Sequence, residues 1–480
     1  MSAERKRRLI ITLMVLAAIA LPVGFTAWYK LLRRETLRQF ASEDDRFKYG
    51  SIGAENDSGL PFWIWAVLPR IFPEYMPGPG GYRSFGLPWE QGSEMPVGFT
   101  KEVIGFPRVA NNCAICHATL FRTKENENPQ IIASGPNHTF NTQAFLRFLT
   151  KCAHDERFNA STLLAEIQTM THLSWVDKLL YRYLIIPMTK KAILRREGQL
   201  AWMNRPFMPH WGPGRDDPMN LTKYFMTNLP WDNSTGNADF PSIWNLGIRE
   251  GGKKTLNWDG ATPSPRSVII DSALGLGAEP NRYFLDRMKW VEDFLKSKRP
   301  PKYPFPVDAA LATRGKTVFD ANCYACHGMA PETRLAQVIP IEEIGTDRER
   351  LDTWTKEGAD IANRTVERMG IRRIGLQKTN GYAAVPLDGV WLRAPYLHNG
   401  SVPTLRDMLK TADQRPKTFY RGYDVYDPVK VGFDTESEQA RRKGWRFDTS
   451  ERGNGNHGHA YGTALVEPEK NALVEYLKTL

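Results

Sequence analysis

Two copies of one five-residue pattern constrain this chain more than anything else in it: CAICH (Cys113, Cys116, His117) and CYACH (Cys323, Cys326, His327). Cysteines three apart place two thiols on one turn, where they reach the two vinyl groups of a porphyrin. The histidine that follows sets an imidazole under the iron, so C-x-x-C-H reads as a c-type haem attachment site. A zinc site or a thioredoxin-like redox pair also uses C-x-x-C, but neither explains a histidine directly after the second cysteine, twice. The expected cofactors are two covalently bound haem c groups. Such attachment takes place outside the bacterial cytoplasmic membrane, so the chain beyond about residue 30 is expected in the periplasm. Cys152 is left over, in FLRFLTKCAHDERF, where a lone cysteine on an apolar stripe reads as a core thiol.

The N-terminus agrees with that compartment. Leu9 to Tyr29 runs uncharged behind ERKRR, long enough to cross about 30 Å of hydrocarbon as a helix. Trp28, Tyr29 and Lys30 resemble an interfacial stop, which favours an uncleaved single-pass anchor in the inner membrane over a signal peptide. The anchor also accounts for much of the net charge of +11, because residues 1–34 hold seven Lys/Arg against one acid. Beyond short groups such as Arg441, Arg442 and Lys443 the body carries no basic cluster, so nucleic acid is not an expected partner.

The chain of 480 residues is long enough for two or three domains, and 33 Pro and 38 Gly mark it as loop-rich. Residues 35–60 are polar and read as a stalk. The stretch around Phe62, Trp63, Trp65 and Phe72 is cut by prolines and is expected to cover the first haem domain. Ala309 to Phe319 forms an amphipathic pattern feeding CYACH, and Leu473, Val474, Leu477 and Leu480 repeat at helical spacing behind Pro468. A first and a last helix crossing beside the haem is the layout of a class I cytochrome c. An echo in Phe284, Met288, Val291, Phe294 and Leu295 ends at the Pro-rich segment 299–306. The expected fold is therefore mainly α, with two class I cytochrome c-like haem domains behind a transmembrane helix: anchor 1–34, first haem domain 35–298, linker 299–306, second haem domain 307–480.

The order CAICH, WGPGR (211–215), DFPSIWN (239–245), NWDG (257–260), SALGLGA (272–278), CYACH, LRAPYLHNGSVPTL (392–405) and GHAYGT (458–463) resembles the di-haem cytochromes related to rubber oxygenases. Bacterial di-haem cytochrome c peroxidases and the MauG type are more distant relatives. The resemblance covers residues 45–480 and implies a six-coordinate C-terminal haem for electron transfer and an N-terminal haem open to peroxide or dioxygen. It implies His117 and His327 as proximal iron ligands and His459, of G-H-x-Y, as second axial ligand of the C-terminal haem, with His457 competing. Met329 lies too close after the proximal histidine to reach the other porphyrin face. Over the first iron, His138, His210, Trp211 and Met219 are the candidates. By the resemblance Trp211 lines the distal pocket without binding iron, and His210 beside it could move a proton. No carboxylate is marked for that task, although Glu250 and Glu279 are available. Arg393 can pair with a haem propionate, His398 can hold a water, and Trp244 and Trp258 lie between the motifs where a ring could carry electrons.

Two functions compete. The body is larger than two carrier domains need, which favours an oxidative, peroxidase-like enzyme. The tether favours an electron carrier or a haem subunit of a respiratory complex, exchanging electrons with a small cytochrome, a cupredoxin or a membrane quinol-oxidising complex. No P-loop, Rossmann fingerprint or zinc-protease motif occurs.

Overall fold

The computed structural model describes residues 3–35, 38–372 and 374–480. Helix α1 (Ala3–Ala27) has no buried residue and continues through a π turn at Trp28–Leu32. Together they form the one helix, among the described residues, long and apolar enough to cross a membrane. Arg33 and Glu35 then join the body rather than a free tether: Gly105 N donates to Arg33 O at 2.7 Å and Glu35 N donates to Val103 O at 3.1 Å.

The polar segment expected to be a stalk is folded. Ser42 caps α2 (Glu43–Tyr49) by accepting from Asp45 N, and Phe47 stacks on Phe294 with ring centres 5.1 Å apart. Polarity misled the sequence reading because α2 buries one face and leaves its acids outside, and two of these pair with α10 (Phe284–Ser297) and the residue after it: Glu43 with Trp290, Asp44 with Lys298. Helix α3 (Phe62–Ile71) tolerates Pro69 near its end and buries Phe62 and Trp65, so this stretch does cover the region of the first motif. Between them strand β1 (Leu60–Pro61) pairs with β3 (Phe106–Asn111), itself the partner of β2 (Phe99–Ile104). β3 delivers the chain to Asn112, whose side chain caps the CAICH turn by accepting from Ala114 N.

A helical layer follows, with α4 (Thr142–His154), α5 (Ala160–Met170), α6 (Trp175–Leu180), α7 (Ile186–Leu200), α8 (Pro218–Phe225) and α9 (Pro265–Gly275). The second motif is fed by α11 (Ala309–Asn322), capped by Asp308, and crossed by the C-terminal α13 (Glu467–Leu477). The crossing is so close that a Cβ on Gly315 would collide with the carbonyl of Ala472. α12 (Lys356–Arg368) lies between them in sequence, and the remaining strands pair two at a time. The fold is mainly helical.

The two halves interlock. One apolar cluster joins Ile269, Met288 and Leu295 to Trp354, Ala362 and Val366, and another joins Phe121 and Trp244 to Phe319, Trp391 and Leu473. Arg122 pairs with Asp424, and Tyr426 N donates to Arg122 O at 2.9 Å. The Pro-rich segment packs too, with the Tyr303 ring 5.4 Å from Trp391.

Candidate haem centre

Both motifs open onto one cavity of about 1200 Å³, lined by Cys113, Cys116 and His117 at one end and by Cys323, Cys326, His327 and His459 at the other. The backbone presents each histidine in the same way. His117 Nδ1 lies 2.8 Å from Pro241 O, and His327 Nδ1 lies 2.8 Å from Val385 O. A carbonyl accepts only from an N–H, so each ring is protonated on Nδ1 and keeps the Nε2 lone pair for a metal. Burial holds both rings neutral, with His117 pushed down to about 4. The thiols are protonated for the same reason, Cys113 and Cys323 each pushed up to about 11, and none of the five cysteines is in a disulfide. Among the described residues there is no group of three or more His, Cys, Asp or Glu side chains placed to hold a metal ion among themselves.

The loops that hold the first motif are bonded from several directions. Asn137 N donates to Cys116 O at 3.0 Å and its Nδ2 to Ile115 O at 2.7 Å, while Asn112 Nδ2 donates to Phe47 O and Gly50 O. Gly98 has a positive φ of 89°, and a Cβ there would strike the Ile115 backbone. A side chain at 98 would push the motif off the cavity.

At the second motif, the His327 and His459 ring centres are 6.3 Å apart. Two imidazoles bound on opposite sides of one metal, at metal–nitrogen distances of about 2.0 Å, have ring centres about 6 Å apart. His459 holds its place through a left-handed backbone (φ 46°) and its N–H, which donates to Ile344 O at 2.8 Å. His457, its competitor, is exposed. Arg393 and His398 line the same cavity. The Arg393 Nη atoms are spent on Pro386 O and Asp388, leaving Nε buried without a partner, and Arg350, also lining, keeps Nε and one Nη free. These unspent donors fit the carboxylates a haem carries. His398 stacks on Tyr382 with ring centres 4.1 Å apart, its Nε2 3.0 Å from Tyr382 Oη and its Nδ1 unpartnered.

Of the residues expected over the first iron, Met219 lines the cavity, in one apolar cluster with Cys113. His138 stacks on Phe433 at 3.6 Å away from it. His210 and Trp211, expected beside the first iron, do not line the cavity. His210 is exposed with its Nδ1 3.1 Å from Arg147, and Trp211 is wholly buried against Trp202. The turn WGPGR, with Gly212 and Gly214 at positive φ, directs this segment outward into a separate aromatic cluster. Glu250 is taken by Lys296 and Glu279 by Asn56.

The cavity instead holds a carboxylate that the sequence did not mark. On α9, Val268, Asp271, Ser272 and Gly275 share the face that lines it, while Ile270 and Ala273 point into the core. Asp271 Oδ1 is buried without a partner, and burial alone pushes the carboxyl up to about 7. The only sequence signal for it was adjacency, since it directly precedes the SALGLGA run.

Trp244 donates Nε1 to Asp388 O at 2.9 Å inside the second cluster and does not line the cavity. Trp258 does line it. Its Nε1 donates to Asp239 O at 2.8 Å, two residues before the carbonyl that holds His117, and its ring packs in one cluster with Ile344, whose carbonyl holds His459.

Comparison with known proteins bears on the second half of this site. A family model described as RoxA-like, cytochrome c-like matches residues 381–420, the segment that carries Arg393 and His398. That is a cytochrome c-like match. It implies covalently bound haem c in this chain. The uncharacterized proteins y4iJ and y4iM of Sinorhizobium fredii are 33% and 34% identical over 40% and 41% of this chain. The chain spans about half the length of these relatives, 43% and 49%. Among solved structures, hydrazine synthase of Kuenenia stuttgartiensis matches with 15% identity over 52% of this chain and 76% of that one, at a TM-score of 0.26, too low to carry an argument.

Proposed function

We propose that this chain is a membrane-anchored, periplasm-facing di-haem c-type cytochrome that reduces peroxide at its first haem with electrons delivered through its second. Cys113, Cys116 and His117 hold one haem, and Cys323, Cys326, His327 and His459 hold the other. The observation that carries this reading is an asymmetry in the cavity: His459 stands 6.3 Å from His327, whereas among the described residues no histidine ring is paired with His117 in this way, and the same cavity is lined by Asp271, whose Oδ1 is buried without a partner. A capped iron exchanges electrons, and an uncapped one also binds a small ligand.

When bound, the haem irons supply one-electron chemistry and a docking point for peroxide. The chain supplies the rest. Reduction of hydrogen peroxide to two waters consumes two electrons and two protons. Asp271 accepts a proton from the entering peroxide and returns one to the departing oxygen, and its carboxyl near neutrality suits both directions. The apolar walls built by Met219, Ile269 and Leu276 exclude bulk water from that exchange. Trp258 and the backbone from Asp239 to Pro241 bridge the two histidine supports and form the internal electron route. A small cytochrome, a cupredoxin or a quinol-oxidising complex is the proposed electron donor.

A tethered electron carrier is the second reading, and Met219 is the residue that favours it, since a thioether over the first iron would close that site. Electron paramagnetic resonance of the oxidised full chain decides between them. A high-spin ferric signal that cyanide converts to low-spin supports the open site. Two low-spin signals that cyanide leaves unchanged support the carrier.

A further inference from the structure

Residues 175–200 form one rod in which α6 passes through a π turn at Tyr181–Ile185 into α7. Its inner face is buried through Tyr181, Ile185, Ile186 and Ile193. The outer face carries Trp175 (74% exposed), Leu179 (48%), Tyr183 (74%) and Met188 (61%). Trp175, Leu179 and Tyr183 follow at four-residue spacing and so stand on one side of the rod. Large apolar side chains grouped on one exposed face mark a contact site.

The position of this face relative to α1 identifies what meets it. Asp177, in the first turn of α6, pairs with Lys30 at 2.8 Å, and Lys30 lies in the last turn of the apolar N-terminal helix. A second tie runs through the β2–β3 hairpin tip, where Gly105 is bonded to Arg33 and Phe106 packs edge-on against Tyr181 at 6.4 Å. The level at which the anchor leaves the hydrocarbon is thus the level of α6. The rod is also basic. Lys178, Arg182, Lys190, Lys191, Arg195 and Arg196 outnumber Asp177 and Glu197, and both acids are paired, with Lys30 and His154.

We propose that the outer face of Trp175–Met188 lies in the headgroup region of the same bilayer, with Trp175, Leu179, Tyr183 and Met188 buried among the upper acyl chains and Lys178 and Arg182 against anionic headgroups. Aromatic residues with flanking cations are the side chains that settle at this depth. The inference rests on reading α1 as a bilayer span. It makes the anchor the first of two membrane contacts and fixes the orientation of the haem body. Because Arg195, Arg196 and Glu197 of the same rod line the large cavity, the docked face also sets how that cavity is turned toward the lipid.

The test uses the full, haem-loaded chain in nanodiscs of phosphatidylcholine and phosphatidylglycerol, with single Tyr183→Cys and Val429→Cys variants labelled by a charged, water-soluble maleimide. Val429 is 68% exposed on the other half of the body, and the native Cys152 is fully buried. The docked face predicts labelling at 183 about tenfold slower than at 429, and slower still as phosphatidylglycerol is raised. Equal rates at the two positions overturn it. Release of the unmodified chain from membranes by alkaline carbonate overturns the anchor reading itself and the docking with it, so the two failures are told apart.

Discussion

Asp271 is a buried acid whose neutral form the fold prefers, and this has two measurable effects. Below about 7 the group is protonated and donates, and above it the carboxylate accepts. Cyanide enters as the acid and must lose a proton to bind ferric iron, so its association rate is expected to rise with pH through about 7. Asp271→Asn is expected to flatten that profile and to lower peroxide turnover by about 10²-fold or more, with haem content unchanged. The second effect is on stability. The folded carboxyl holds its proton more tightly than the unfolded one, whose value is near 3.8, so folding stability falls as pH rises between about 4 and about 7. Thermal melts of Asp271→Asn across that window are expected to lose this slope. His459→Ala carries a separate expectation: the low-spin signal of the second haem converts to high-spin, while the first haem's signal is unchanged. The sequence exposed these residues unequally. His459 was marked by a local pattern, G-H-x-Y, near the chain end, and the fold sets its ring 6.3 Å from that of His327. Asp271 was not, since a single aspartate within a helix gains meaning only when tertiary packing removes its partners. His210 and Trp211 show the converse: their neighbours in sequence suggested the pocket, and they lie beside glycine turns outside the cavity lining.

At the scale of elements, the helix pair around the second motif was readable because both carry apolar residues at helical spacing and meet their caps, Asp308 before α11 and Pro468 in the first turn of α13. What spacing could not give is how closely they cross. Gly315 sits where α13 approaches, and any side chain there must push Ala472 and Tyr476 away. Gly315→Val is therefore expected to destabilise the second haem region by about 1–3 kcal/mol through overpacking. Denaturation followed at the low-spin haem band is the measurement, and an unchanged midpoint would contradict the close crossing. The α2 segment shows the opposite limit. Its charged residues looked like a solvated stalk because a seven-residue helix needs only one face inside, and Phe47 alone carries most of that face.

The whole molecule departs furthest from a reading along the chain. A sequence presents two motifs and a proline-rich break, which invites two independent modules, but the apolar clusters draw residues from both sides of that break. If the chain carries the two haems proposed above, heating is thus expected to disrupt both environments in a single transition, with midpoints from the high-spin and low-spin bands coinciding within a few degrees. A chain ended at residue 298 would lack the partners of Ile269, Leu295 and Phe121, and soluble haem-loaded protein is not expected from it. Arg122 and Asp424 show what this means on a longer timescale. Each closes onto the other across some three hundred positions of sequence, with backbone bonds on either side. A change at one alters the selection on the other. The two halves should then pass between genomes only as a matched set, and a comparison of relatives should find these distant positions drifting together while the intervening Pro-rich stretch changes length freely.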